Sequence, residues 1–467
     1  MNRIGHALLW LGGVVIAALM AYTVAFDFIH GTMRRSTGTA RGAVTVAVVY
    51  PDRTLWQEFR QGIRACVKKG LAAPVEESEG AVVVATPRDR RLIRFELHDV
   101  RGLRETKDEV HRLLERSPQP VAVVGSSNTV LTEAIAEALR AAAGPEGGKG
   151  PVLLVPWASA VLADRPEPGD GPVALLDINP GRTFRFCPNN QHQADSLIRC
   201  LAHHDAGRPP GRAVLVVDRH DPYSVDLAAS FHRALEHVAP HAEIVERSDS
   251  LSLPVLNDPL GLPSPAEEAL AESIWRGAEK QPAKRTTWVL LPLQDEPTRR
   301  MIAALRRHAQ RGLRPGDGLL RVVCGDGIGF SNLSQLAGRC PFPIWSSSSA
   351  SAPAAAQALG QGLSPDTQIP AEIVSALILC LDPRDARPPP PAPLRDALAG
   401  LHLAPNDPAA MGRSLAFSRS GERVGDDVGH VLMIRPDRRA VFAVTVGPSG
   451  RWNEPEPLVT LPVVLQR

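Results

Sequence analysis

The sequence is poor in the residue patterns that hold metal ions. Its six cysteines include no C-x-x-C pair and have no histidine partners at zinc-finger spacing, so we expect no metal site. No cysteine occurs in the first 65 residues, which excludes a lipid anchor on a cysteine directly after an N-terminal apolar segment. In an oxidising compartment Cys324 with Cys340, or Cys187 with Cys200, are candidate disulfides, and free buried thiols are the equal alternative.

A strong charge field is also absent. The chain carries a formal net charge of +2, with 22% charged and 44% hydrophobic residues, and its basic residues are scattered among acidic ones. This composition is typical of a globular protein with a solvated surface. We therefore expect no nucleic-acid partner.

The sequence lacks the loops that bind nucleotides or carry a nucleophilic serine. Gly325, Gly327 and Gly329 do not have the G-x-G-x-x-G spacing, and no acidic residue lies between Asp326 and Asp366 to bind a ribose. Neither a G-x-x-x-x-G-K-[ST] loop nor a G-x-S-x-G elbow occurs. A Rossmann-type enzyme is therefore the least favoured of three functional hypotheses, and we expect neither catalytic residues nor a cofactor.

A long apolar segment lies near the start of the chain. Ala7–Phe26 comprises 20 residues without a charge, and a helix rising about 1.5 Å per residue over that length matches a hydrocarbon core about 30 Å thick. Asp27 to His30 do not form the small-x-small site of a cleaved signal peptide. The segment predicts a transmembrane anchor over residues 7–29, with a cleaved signal peptide as the alternative. Because six residues precede it, we expect the folded part to be extracytoplasmic, in the periplasm.

The rest of the chain repeats a strand, a polar loop and a helix. Apolar strand-like runs lie at Thr45–Val48, Val121–Val124, Val152–Val155, Ala213–Val217, Trp288–Leu291 and Leu319–Val323. This alternation is typical of parallel α/β sheets, whose ligands bind outside the carboxyl ends of the strands. The chain exceeds the roughly 250 to 300 residues that one core usually fills. We therefore predict an α/β protein with two doubly wound, Rossmann-like lobes.

Several short motifs occur in the order found in a known family. Thr183–Pro188 reads Thr-Phe-Arg-Phe-Cys-Pro, and Pro222 and Tyr223 later open a helix, with Ser224 where the family has glycine. The further matches are Phe231, Ala234, Leu235, Val123–Thr129 (VVGSSNT), Pro156–Ala160 (PWASA), Gly325–Gly329 (GDGIG) and Leu415–Gly421 (LAFSRSG). Over about residues 43–444, the chain resembles the type I periplasmic solute-binding proteins of ABC transporters, in the branch that binds leucine, isoleucine and valine.

This resemblance implies two lobes joined by a hinge. It assigns residues 43–182 and 343–400 to lobe 1, and residues 183–342 and 412–467 to lobe 2. Such a protein captures an amino acid or a similar small polar solute between its lobes and presents it to a permease or a membrane receptor. A membrane anchor is unusual for the family, and a non-binding scaffold or interaction module of the same fold is the alternative function.

The candidate ligand-binding residues of lobe 1 follow two of its strands. Ser126, Ser127 and Asn128 precede a helix, whose free N–H groups and positive dipole end favour a carboxylate. Ser159, after the next strand, adds a hydroxyl. The matching family positions hold the carboxylate and the amine of the ligand. Ser126 and Asn128 are equally suited to capping the helix, so a structural role is the alternative.

An acid and two aromatic residues complete the predicted site. Asp326 occupies the place where the family carries the acid that pairs with the ligand ammonium, although a residue between two glycines is also typical of a turn. Tyr223 either lines the cleft or packs at the start of its helix. Trp157, like Trp56, is either an apolar wall of the cleft or a half-buried aromatic residue.

Two departures from the family pattern leave the identity of the solute open. The loop Tyr50–Thr54 is short and carries Asp52 and Arg53, where relatives have a longer, glycine-rich loop. Leu293 and Gln294 stand where an aromatic side chain often covers the ligand.

Overall fold

A computed structural model describes most of the chain after residue 41. The described residues are 42–51, 53–126, 128–143, 150–163, 172–205, 210–248, 262–281, 285–312, 320–348, 365–382, 393–425, 430–444 and 456–460. Ala7–Phe26, for which the sequence predicts a membrane anchor, lies outside them. Within the described residues, no helix combines the length and the apolar character needed to cross a bilayer.

Strands and helices alternate through much of the described chain. The elements as far as residue 185 are β1 (Val44–Tyr50), α1 (Arg53–Lys68), β2 (Ala73–Glu77), β3 (Ala81–Ala85), β4 (Leu92–Asp99), α2 (Leu103–Glu115), β5 (Ala122–Val124), α3 (Thr129–Ala143), β6 (Val152–Val155), β7 (Leu162–Ala163), β8 (Val173–Ala174) and β9 (Thr183–Arg185). Those as far as residue 348 are α4 (Asn190–His204), β10 (Arg212–Val216), α5 (Pro222–Val238), β11 (Glu243–Arg247), α6 (Pro265–Glu279), β12 (Thr287–Leu291), α7 (Asp295–Gly312), β13 (Leu320–Cys324), α8 (Phe330–Leu336) and β14 (Ile344–Ser348). The last are α9 (Gln368–Leu381), α10 (Leu394–Ala399), β15 (His402–Leu403), β16 (Leu415–Phe417), β17 (Arg423–Val424), β18 (His430–Ile434), β19 (Ala440–Val444) and β20 (Glu456–Thr460).

Two large sheets organise these elements. The first has the order β2-β3-β4-β1-β5-β6-β9, and the second has the order β11-β10-β12-β13-β14-β18-β19-β20. The strands from β4 to β9 in the first order, and from β11 to β14 in the second, are parallel to their neighbours. The predicted pair of parallel α/β lobes is therefore confirmed. We call the first sheet with its helices lobe 1, and the second with its helices lobe 2.

Helices cover both faces of each sheet. In β1 the side chains alternate, so that Val48 packs with α1 and α9 whereas Val49 packs with α2 and α3. In lobe 2 one core contains residues of α6 and α7, and the other contains residues of α4 and α5. This alternation is what a sheet buried on both faces requires.

The chain passes between the lobes after β9, after β14 and after β17. Thr183–Arg185 forms the edge of the first sheet, although the sequence division assigned residues from 183 onward to lobe 2. Ile344–Ser348 forms a buried strand of the second sheet, although that division returned to lobe 1 at residue 343. A strand just before a crossing has the same residue pattern as one just after it, so periodicity does not locate the crossing. The remainder of the predicted division stays a prediction.

A buried ion network lies close to the crossing strands. Glu372 of α9 is fully buried, and its carboxylate accepts hydrogen bonds from Arg413 (Nη2 to Oε2, 2.7 Å) and Arg423 (Nη1 to Oε2, 2.6 Å). Arg423 also donates to the carbonyl of Phe186, one residue beyond β9. Both arginines are fully buried, and the carboxylate of Glu372 lies between their two charges.

We expect Glu372→Gln to lower the free energy of unfolding by about 3–5 kcal/mol, because it removes the negative charge that two buried guanidinium groups share. Denaturant unfolding of the full chain measures this change. Glu79→Gln is the matched control, because Glu79 pairs with Arg53 on the surface, where both side chains are more than half exposed. Exposed pairs contribute about 0–1 kcal/mol. Equal effects of the two substitutions would contradict the proposed importance of the network.

Candidate functional site

The predicted site residues of lobe 2 lie where its parallel strands end. Asp326 begins a short 3-10 turn after β13, and Tyr223 is the second residue of α5, which follows β10. Asp221 caps α5 by accepting a hydrogen bond from the Tyr223 N–H (3.1 Å), and Pro222 occupies the first helical position. This start of the helix fixes the backbone of Tyr223.

Asp326 is the centre of a hydrogen-bond cluster. Its Oδ1 accepts from the hydroxyls of Tyr223 (3.1 Å) and Ser159 (3.4 Å). Its backbone N–H donates to Oε1 of Gln193 (3.0 Å), and the N–H of Gly327 donates to the Tyr223 hydroxyl (3.1 Å). The Tyr223 hydroxyl thus donates and accepts at once, which holds Asp326 in a fixed position.

The contact between Ser159 and Asp326 joins the two lobes. Ser159 follows β6 in lobe 1, whereas Asp326 follows β13 in lobe 2. Two of the predicted site residues, Ser159 and Tyr223, therefore lie within hydrogen-bond distance of the carboxylate of a third, Asp326. Their roles towards a ligand stay predictions.

The carboxyl group of Asp326 has an unusual pKa. Burial raises the pKa of Asp326 to about 6, and hydrogen bonds with Gln193, Tyr223 and Ser159 oppose this rise. Among the described residues, no Lys or Arg side chain forms an ion pair with Asp326. Burial, followed by the nearby charge of Asp326, also raises the pKa of Tyr223 well above its ordinary value. An ionised Asp326 is therefore a site that an external cation would stabilise.

The other predicted lobe 1 residues lie at the start of α3. Asn128 caps the helix, because its Oδ1 accepts from the N–H of Leu131 (2.8 Å). Ser126 is fully buried, and its hydroxyl, like that of buried Thr129, makes no hydrogen bond within the described part of the chain. Ser127 lies outside the described residues. Two buried hydroxyls thus accompany the N–H groups that open α3.

The two candidate tryptophans differ in environment. Trp157 is partly buried after β6, with its ring centroid 5.6 Å from that of Tyr50 at the end of β1. Trp56 is 1% exposed, stacks on Phe59 and donates its indole N–H to the carbonyl of Glu79 (2.7 Å). Trp56 is therefore part of the lobe 1 core, whereas Trp157 lies at the edge of the sheet where ligands bind.

Sequence reasoning missed three polar residues near Ser159. Gln193 holds the backbone of Asp326, and Asn190 donates its backbone N–H to the carbonyl of Ser159 (2.8 Å). Asp226 of α5 accepts the N–H of Val161 (2.9 Å). Gln193 and Asp226 are buried positions on predicted helices, and a buried polar residue within an otherwise apolar helix face is the only signal that singles them out.

The described side chains offer no group of three or more His, Cys, Asp or Glu arranged for a metal ion. All six cysteines are free thiols, so neither candidate disulfide is formed. Burial raises the pKa of Cys66, Cys200 and Cys340 to about 12, which keeps these thiols protonated at neutral pH.

Comparison by sequence finds no protein-family model and no curated protein that matches the chain. Solved structures do match in fold. A solute-binding protein of an ABC transporter from R. palustris, in complex with benzoate, has a TM-score of 0.58 and 13% identity over 89% of this chain and 99% of that chain. A leucine-binding protein from Thermotoga maritima has a TM-score of 0.56 and 13% identity over 86% of this chain and 97% of that chain. An ABC transporter substrate-binding protein from Desulfitobacterium hafniense, in complex with Leu, has a TM-score of 0.55 and 15% identity over 88% of this chain and 99% of that chain.

These likenesses establish the fold. The chain has the type I periplasmic binding protein fold, and the resemblance predicted from its motifs is confirmed at that level. Each of the three neighbours is described as a binding protein, and none as an enzyme.

The raised pKa of Asp326 predicts how stability depends on pH. The folded pKa of about 6 lies above the ordinary value of 3.8, so the native state binds more protons than the unfolded state between these values. The stability from this group is fully present below about pH 4 and is lost as the pH rises to about 6. We expect Asp326→Asn to remove this loss, so that the variant gains in melting temperature relative to the unmodified chain over that window. Asp437→Asn, at an exposed position, is the control, and parallel pH profiles for all three proteins would contradict the assignment.

Proposed function

We propose that this chain is an extracytoplasmic solute-binding protein that closes two lobes on a small polar solute. The observation that carries the proposal is the contact of Asp326 in lobe 2 with Ser159 in lobe 1, at the ends of parallel strands from both sheets. In α/β proteins this edge of the sheet is where ligands bind. Hinge closure would bring such groups together around a solute.

The chemistry of the site favours an amino acid or a similar zwitterion. Asp326 forms no ion pair within the part of the chain that the structure describes, so the ammonium of a solute would supply a compensating charge. The start of α3, with the unpaired hydroxyl of Ser126 and the predicted contributions of Ser127 and Asn128, suits a carboxylate. Trp157 and Tyr223 would contact the remainder of the solute. Leucine and benzoate, which are bound in two of the neighbouring structures, both carry a carboxylate, and only leucine also carries an ammonium.

A membrane protein partner would recognise the closed conformation. We propose that the apolar segment at residues 7–29 tethers the protein to the membrane and that an ABC permease or a membrane receptor accepts the solute. The length and lack of charge of Ala7–Phe26 support the tether, and the fold supports the partner, because the structural neighbours include substrate-binding proteins of ABC transporters.

A solute screen on the full chain in detergent tests the proposal. A solute present at about 100 times its Kd should raise the free energy of unfolding by about 2.7 kcal/mol, which thermal unfolding detects. We expect one or more amino acids to do so, and Asp326→Asn to weaken their binding at least about tenfold, because the neutral amide cannot pair with an ammonium. Asp437→Asn should bind normally. If neither amino acids nor aromatic acids shift the melting temperature, the result contradicts the proposal and favours the alternative hypothesis of a non-binding interaction module.

The pH dependence of binding distinguishes the two classes of solute. An amino acid requires ionised Asp326, so its affinity should fall about tenfold per pH unit below about pH 6. A solute that carries only a carboxylate should bind more tightly as the pH falls, because protonated Asp326 donates a hydrogen bond and no longer repels it. Calorimetric titration at pH 5, 6 and 7.5 measures whether the affinity rises or falls with pH. An amino acid whose affinity rises on acidification would contradict its pairing with Asp326.

A further inference from the structure

A second contact joins the lobes beside the bridge between Ser159 and Asp326. Asp226 lies on α5 of lobe 2 and is 6% exposed. Its Oδ2 accepts the backbone N–H of Val161 (2.9 Å), and its Oδ1 accepts that of Leu162 (3.4 Å). Both N–H groups belong to the lobe 1 segment that follows β6 and carries Ser159. One carboxylate of lobe 2 therefore binds two consecutive backbone amides of lobe 1.

The bonding of Asp226 depends on the lobes being together. Its remaining short contact is with the side-chain amide of Asn190, whose Nδ2 donates to Oδ2 (2.9 Å). No ion pair to Asp226 occurs among the described residues, so N–H donors alone compensate its charge. Hydrogen bonds to a buried carboxylate are stronger than those between neutral groups, and losing a donor there is costly. Rotation of α5 away from lobe 1 would break both backbone bonds at once.

We propose that Asp226 is a latch that stabilises the closed conformation and positions Ser159 without touching the solute. The proposal rests on the hinge closure put forward under the proposed function, and it deepens that function by assigning its conformational control. Val161 lies two residues after Ser159, so a segment held at Val161 leaves the Ser159 hydroxyl little freedom. Part of the closing free energy then comes from the protein itself, which raises the closed population at any solute concentration.

The interlobe distance tests the latch directly. Spin labels on Val75→Cys of lobe 1 and Arg276→Cys of lobe 2 occupy exposed side chains, whereas the native cysteines are buried or partly buried. Without added solute, Asp226→Asn should shift the distance distribution towards longer, more open values. The amide has only one oxygen, and its NH2 group cannot accept a hydrogen bond from either backbone N–H. For any solute that binds, we expect an affinity about tenfold lower, mostly through faster dissociation.

Asp195→Asn is the matched control, because Asp195 is a partly exposed residue of α4 whose side chain forms no hydrogen bond or ion pair within the described chain. If Asp226→Asn lowers the melting temperature but leaves the distances equal to those of Asp195→Asn, Asp226 is only structural and the latch is overturned. Because this measurement needs no solute, it distinguishes failure of the latch from failure of solute binding.

A second variant keeps the proposal testable if Asp226→Asn does not fold. Asn190→Asp places a second carboxylate 2.9 Å from Asp226 in the position of the amide donor. Repulsion between the two carboxylates should displace Asp226 from the lobe 1 amides and open the lobes at pH 7.5. Distances equal to those of Asp195→Asn would overturn the latch.

Discussion

A carboxylate held between two lobes, with no ion-pair partner among the described residues, is the constraint on which this site depends. Asp326 accepts two hydroxyl donors, from Tyr223 of its own lobe and Ser159 of the other, and these only partly offset the cost of burial. The group is therefore stable in two ways, as a protonated acid or as a carboxylate with an external cation. In the proposed function, this choice would couple proton binding, solute charge and lobe closure at the contact between Ser159 and Asp326.

The segment that meets Asp326 is fixed by residues from several parts of the chain. The carbonyl of Ser159 accepts the N–H of Asn190, and the carbonyl of Ala160 accepts Nη2 of Arg185 (2.6 Å). Arg185 is buried at the edge of the first sheet and pairs with Glu422 (3.2 Å), close to the crossing strand β17. The site is thus connected through Arg185 to the crossings around which any hinge motion must occur. Such support is what holds a binding group in position before its ligand arrives.

Much of the fold could be predicted from local patterns. The helix Thr129–Ala143 is an example, because the spacing of its apolar residues and the polar residues before it both predict a helix that begins at Thr129. The strand Ile344–Ser348 could not be predicted in this way, since it ends in three serines and hydroxyl residues are typical of loops. In the structure Ser346 donates its hydroxyl to the carbonyl of Gly325 (3.0 Å), so its polarity is satisfied inside the sheet. The hairpin formed by β2 and β3 was also missed, because nothing in its sequence marks it as the edge of a parallel sheet.

Ser159, Tyr223 and Asp326 could be singled out because each follows a recognisable strand, and strand ends mark the ligand edge of an α/β sheet. Asp226 could not, because its partners are backbone amides of another lobe, and such contacts leave no trace in the residue types of the partner. The same reasoning explains how neighbours with 13–15% identity share the fold. Apolar patterning preserves the sheets through many substitutions, whereas the solute is selected by a few side chains at the strand ends. The shared fold therefore supports the proposed position of a solute far more strongly than its identity, and the charge state of Asp326 is the property that would separate the remaining classes of solute.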